Sequence, residues 1–228
     1  MRGFAKEILL IIVVGALSWA LLHYSIYPFL NVPANAPYPA RTVAIFLLIW
    51  ILIRRKKETW KDFGLAKPTS IWMTVILVIG YLFVDVLVLQ PFADFLKHSL
   101  GLAPPDPSFF SYVNGDIGAY IFWVAMSWGV GGFCEELIFR GYLMNRTAHL
   151  FRNPNFGWTI AVIAQAFLFG LGHVYLGWGA IISVGIPAVG SGLLYIVAGR
   201  NLWPVILVHR IWDTLGFTLI YLNGVPST

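Results

Sequence analysis

The sequence predicts an all-α protein, a polytopic transmembrane helix bundle of about seven to eight spans, each needing about 20 mostly apolar residues. Three observations predict it. Hydrophobic residues make up 59% of the chain and charged residues only 11%, whereas a soluble domain carries about 25% charged residues. The apolar residues fall in long runs. Lys and Arg gather at the ends of those runs, where a membrane protein needs them. The net charge of +5 therefore belongs to a membrane interface, and nucleic acid is not an expected partner. Cys134 is the single cysteine, so no intramolecular disulfide exists, and within its apolar run it reads as a small buried hydrophobe.

The first 30 residues open with Arg2 and Lys6 and then run apolar. That run is too long for a signal peptide and lacks an Ala-x-Ala cleavage pattern, so it is an uncleaved span near 7–30. Further spans are expected near 40–53, which is short, 70–92, 118–146, 157–176, 178–198 and 202–222. The 118–146 run is long enough to tilt or protrude. One side of the membrane collects Arg2, Lys6, Arg54, Arg55, Lys56, Lys57, Lys61, Lys67, Arg146, Arg152 and Arg200, and the other holds Arg41 and Lys97. The excess predicts a cytoplasmic N-terminus and, with seven spans, a C-terminus on the far side. The loop 93–117 carries Pro104, Pro105 and Pro107 beside Phe109, Phe110 and Tyr112, which suits the outer interface. No repeat or boundary divides the chain, so 1–228 reads as a single integral membrane domain.

Ionisable residues inside such spans are costly and mark function. Glu135 and Glu136 stand side by side in one of them. Arg140 follows Glu136 by four residues and stacks on the same helix face. Taken alone, that pair simply neutralises itself; one Arg satisfies one Glu and leaves the other partly desolvated, as proton transfer requires. His173 lies one helical turn after Phe169, with Gly170 and Gly172 between them to admit a second backbone. His209 lies nine residues beyond Arg200, roughly 13 Å into the membrane. Asp213 follows on the same face, and Arg210 points elsewhere, toward a carboxylate such as Asp85. Asp85 and His23 have no spaced partners and read as structural hydrogen bonds, and His98 and His149 carry no signal. Glu135, Glu136, Arg140, His173, His209 and Asp213 gather toward the same end of separate helices. Carboxylate plus imidazole activates water for attack on an amide, and a second imidazole holds the developing oxyanion.

These stretches, about 115–222, resemble the CPBP intramembrane proteases, the family of CAAX prenyl endopeptidases of the Rce type and of bacterial relatives tied to bacteriocin immunity. Glu135, Glu136 and Arg140 match its Glu-Glu-x-x-x-Arg motif, Phe169 and His173 its Phe-x-x-x-His motif, and His209 and Asp213 its His-x-x-x-Asn/Asp motif. The resemblance implies that Glu135 is the general base, working with His173, that His209 and Asp213 stabilise the tetrahedral intermediate, and that Glu136 and Arg140 support them. Rce-type enzymes have Asn where this chain has Asp213, and an ionised Asp would repel an oxyanion. It must be protonated, orient a neighbour or hold a metal. The family is also named as metalloproteases, and Glu135, His173 and His209 offer a His₂Glu set for Zn2+ with Glu136 as base; no His-Glu-x-x-His helix is present, and direct activation of water without a cofactor is favoured.

Spans drawn naively leave His173 near the outer face, away from Glu135 and His209. A hairpin at 146–158 projecting beyond the bilayer, with Asn153, Pro154 and Asn155 at its turn, would lower His173 to meet them in a site opening to the cytoplasm. The expected function is an endopeptidase acting on a membrane-anchored or lipidated peptide near the cytoplasmic face, with the prenylated C-terminal CAAX tripeptide as one substrate class. The alternatives are a non-enzymatic immunity or binding protein and a proton-coupled carrier.

Overall fold

The computed structural model describes residues 2–26 and 39–225, and every regular element among them is helical. In chain order these are α1 (Arg2–Leu21), α2 (Pro39–Arg55), α3 (Ile71–Ser99), α4 (Ile117–Ala148), α5 (Pro154–Gly172), α6 (Gly179–Val197) and α7 (Trp203–Asn223). Five of them, α3 to α7, are long and apolar enough to cross a membrane. The protein is thus an integral membrane protein, all-helical among the described residues. Five helices rather than seven to eight meet that test; α1 and α2 lie on the first two expected stretches, of which 27–30 falls outside the described residues, and α3 continues to Ser99, so 93–99, read from sequence as the start of a loop, is helical. Pro91 does not break it, because a π-helical turn at Asp85–Leu89 comes just before and absorbs the missing donor.

Local chemistry sets the helix starts. The Ser70 hydroxyl accepts from the Met73 N–H at 3.2 Å, Asp116 accepts from the Ala119 N–H at 2.9 Å, and Asn153 accepts from the Phe156 N–H at 3.2 Å. Pro154 then occupies the first turn of α5, where its absent N–H costs nothing.

A buried seam of Leu137, Met144, Ala161, Leu194, Tyr195, Leu202 and Ile206 joins α4 to α7. Leu9, Trp72, Phe83, Leu87, Ile121, Phe167, Val197 and Leu219 are exposed. In water such a surface would aggregate; around a membrane bundle it is the lipid-facing skin. Helices α5 and α6 come together at Gly170, where a Cβ would sit 2.5 Å from the Ile181 carbonyl oxygen and 3.3 Å from Gly185 Cα. Gly172 differs from expectation, because a Cβ there would meet nothing within 4 Å. The turn between α4 and α5 is tight, with Gly157 against the Ala148 carbonyl.

The Lys/Arg-rich loops meet at one end of the bundle. There Glu7 pairs with Lys56, Arg146 pairs with Glu58, and the Tyr142 hydroxyl donates to Glu7 at 2.6 Å. Glu7, which carried no signal in sequence, is buried at the centre of this cluster. The side chain of His23 lies outside the described residues.

Candidate active site

Two π-helical stretches, Ser127–Glu135 and Leu137–Leu143, carry the paired glutamates through α4. Such wide turns recur at functional sites because they re-aim side chains that a regular helix would space evenly. Glycine permits the widening here, and it also admits α7. A Cβ at Gly131 would stand 3.0 Å from Asp213 Oδ2, and one at Gly132 would stand 2.5 Å from Arg210 Cγ.

Glu136 is buried and fully committed at one oxygen. Its Oε1 accepts from Arg140 Nη1 at 3.0 Å and from His209 Nδ1 at 2.8 Å. Arg140 in turn donates from Nη2 to Ser191 Oγ on α6 at 2.6 Å and lies 4.4 Å from the centroid of the Phe169 ring. That ring is also 4.9 Å from His173 and 5.9 Å from His209. Phe169 is therefore the contact at which all three sequence motifs meet. It also shows that the last turn of α5 reaches the depth of the second turn of α7, which resolves the mismatch of naive spans.

The two imidazoles are held differently. His173 Nδ1 faces the Phe169 carbonyl oxygen at 2.8 Å. A carbonyl only accepts, so the proton sits on Nδ1 and the Nε2 lone pair is left for the cavity. His209 is flanked by carboxylates on both ring nitrogens, Glu136 at 2.8 Å and Asp213 Oδ2 at 3.4 Å from Nε2. Of the three roles the sequence left open for Asp213, this contact bears on the orientation of a neighbour. Glu135 takes a different partner from Glu136: Thr42 Oγ1 on α2, at 3.4 Å.

Glu135, His173, His209 and Asp213 line one cavity of about 940 Å³ together with Arg41, Thr42 and Tyr175. Its walls are otherwise mostly apolar, from Ile8, Ile11 and Ile12 on α1 to Phe217 and Ile220 on α7. Tyr175, between α5 and α6, lies 5.9 Å from the His173 ring, and burial pushes its hydroxyl above the ordinary tyrosine value. It remains a neutral donor. Thr42, Tyr175 and Ser191 had no sequence signal, because each comes singly from a segment without a spaced polar partner.

One expectation is corrected. Arg210 does not reach Asp85; its Nε and Nη2 donate to the Trp128 carbonyl at 3.1 and 3.0 Å, and its guanidinium stacks 5.1 Å from the Trp128 ring. Asp85 instead accepts from Gln90 Nε2 at 3.5 Å, five residues on, within its own helix. For the zinc set Glu135, His173 and His209, both nitrogens of His209 face carboxylates, His173 keeps Nε2 toward the cavity, and no group of three His, Cys, Asp or Glu among the described residues is arranged to hold an ion.

Fold and site define a polytopic membrane protein with a carboxylate and imidazole centre buried among its helices. Residues 117–215, the stretch that carries the motifs, match the protein-family model described as type II CAAX prenyl endopeptidase Rce1-like, and to that family this stretch is similar. No curated protein and no solved structure matches the chain.

Proposed function

We propose that this protein is an intramembrane endopeptidase in which Glu135 activates the attacking water. The observation that carries the proposal is the division of labour between adjacent carboxylates. Glu136 is tied to Arg140 and His209, whereas Glu135 lines the cavity and accepts from the Thr42 hydroxyl at 3.4 Å. A base must be free to take a proton, and a positioning group must not move.

In this mechanism water sits between Glu135 and Nε2 of His173. Glu135 removes a proton as the water oxygen attacks the peptide carbonyl carbon. The carbonyl oxygen becomes an oxyanion and is met by the Nε2–H of His209, a ring that Glu136 anchors through Nδ1 at 2.8 Å and whose contact to Asp213, at 3.4 Å, is the looser one. Collapse breaks the C–N bond, and Glu135 returns its proton to the leaving amine. In this reading no step calls on a metal ion.

The membrane topology completes the proposal. Seven spans result when α1 and α2 are added to the five long apolar helices, with the N-terminus cytoplasmic and all of 1–228 forming one domain. The substrate is a lipidated or membrane-anchored peptide, prenylated CAAX tails being one class. The wide apolar walls supplied by α1 and α2 suit a lipid chain beside the scissile bond.

Matched farnesylated and unmodified Cys-a-a-X peptides, incubated with the reconstituted protein and followed by mass spectrometry, test this directly. Cleavage is expected for wild type and is expected to fall at least about 10²-fold in Glu135→Gln. Cleavage that survives unchanged in Glu135→Gln would remove the base from the mechanism.

A further inference from the structure

A second cavity, of about 600 Å³, lies at the Lys/Arg-rich end and shares no residue with the site above. It is bounded by the segment 61–77 on one side and 195–204 on the other. Hydrogen bonds fix these walls to each other: Leu202 N–H to the Gly64 carbonyl at 3.0 Å, Asn201 Nδ2 to the Ala66 carbonyl at 3.0 Å, and the Tyr195 hydroxyl to the Phe63 carbonyl at 3.2 Å. Gly64 has φ +96°, and a side chain there would overlap the Arg200 carbonyl, so the two loops meet as closely as backbones can. The cavity is therefore built into the fold.

Its charge and its surroundings specify what fits. Lys61, Lys67 and Arg200, the last with its guanidinium 5.7 Å from the centroid of the Trp158 ring, line it, along with Thr69 and Ser70 at the N-terminus of α3, an end that carries partial positive charge. The single carboxylate in the lining, Asp62, is held toward Thr59, whose N–H and hydroxyl donate to its Oδ2 at 2.7 and 3.0 Å, so the lining keeps one negative charge against three positive. One wall then runs out of the cavity along α3 through Met73, which is 54% exposed, to Trp72 at 76% and Ile76 at 62%. Polar and basic at the loops, apolar along an open helix face: this is the profile of a phospholipid lying against the bundle, headgroup at the interface and acyl chains on α3.

We infer that this cavity is a binding site for the phosphate headgroup of an anionic phospholipid. The three cations meet the phosphate, and the exposed face of α3 takes the chains. A soluble phosphate would use the cations alone, and the continuity with α3 argues for the lipid.

Native mass spectrometry of the full chain in detergent, titrated with phosphatidylglycerol, with phosphatidylcholine of the same acyl chains, and with inorganic phosphate, tests the assignment. Phosphatidylglycerol is expected to be retained in preference to both others. Each cation removed near a membrane surface weakens such binding about fivefold, so Lys61→Gln/Lys67→Gln/Arg200→Gln should weaken it about a hundredfold. The control Arg54→Gln/Lys57→Gln/Arg152→Gln removes equal charge from the same end, outside the cavity, and should change binding little. Lys67→Gln alone, at an exposed position, serves if the triple variant does not fold, with about a fivefold loss expected. Equal loss in the control would reduce the site to diffuse surface charge, and inorganic phosphate binding as well as the lipid would overturn the lipid assignment.

Discussion

At the residue scale the centre depends on a single oxygen, Glu136 Oε1, which serves both Arg140 and His209. Its partner Oε2 and Arg140 Nε are buried without hydrogen bonds. A pair so desolvated gives little net stability, yet breaking it is expensive because the survivor is stranded. Glu136→Ala should therefore cost about 3–5 kcal/mol, read as a lower melting temperature in detergent. Glu136→Ala with Arg140→Met should regain much of that stability and none of the cleavage, since His209 has still lost its anchor. Recovery of cleavage in the double variant would mean that Glu136 acts only as a counter-ion. Asp213 is a milder case. Asn at this position keeps an oxygen facing His209 Nε2, so Asp213→Asn should keep cleavage within about tenfold, while Asp213→Leu should lose about 10²-fold or more, as loss of the group that orients a working imidazole does; equal activity in both would remove Asp213 from the site.

How much of this was legible follows from spacing. Glu136 and Arg140, Phe169 and His173, and His209 and Asp213 are each four residues apart, and a helix converts that spacing into contact without further information. Thr42 lies 93 positions from Glu135, and Ser191 lies 51 from Arg140. Sequence separation of that size leaves no periodic trace. Arg210 failed for a related reason: its neighbour is a backbone carbonyl at Trp128, and carbonyls are present at every position.

At the scale of elements, the bundle was readable from hydropathy, while its close approaches depend on which glycine faces a neighbour. Gly170 and Gly172 look alike in sequence and differ in space. At Gly170 an added methyl would press on the Ile181 carbonyl and part α5 from α6, so Gly170→Ala should destabilise by about 1–3 kcal/mol and reduce cleavage by displacing Phe169 and His173. Gly172→Ala has open space and a helical setting, and is expected to be neutral or to stabilise by up to about 1 kcal/mol. Thermal unfolding of the two variants side by side would decide it; equal losses would show that close packing at Gly170 is not what holds the helices together. The π turns of α4 were also invisible, because an extra residue in a turn changes no residue type. Only Gly129, Gly131 and Gly132 hinted that α4 is not a regular cylinder there.

At the scale of the whole molecule, Glu7, Lys56, Glu58, Arg146 and Arg200 come from distant parts of the chain and assemble at one end. Lys and Arg within short loops are retained on the cytoplasmic side during insertion, so this end is expected to face the cytoplasm. The opposite end carries the 3₁₀ turn Ser108–Val113, and the Gly115 N–H there donates to the Tyr221 carbonyl near the end of α7. Seven spans require that end to lie outside and the C-terminus to lie with it. In a Cys134→Ala background, Ser111→Cys should react with an impermeant maleimide on intact cells, and Lys57→Cys should react only after lysis. Both positions are exposed, so accessibility within the fold does not bias the comparison. A reporter fused after Thr228 should likewise read outside. Reversed labelling would show that Lys and Arg do not set the orientation, and labelling of both cysteines from one side would break the antiparallel path of α2, α3 and α4 on which the seven-span count rests.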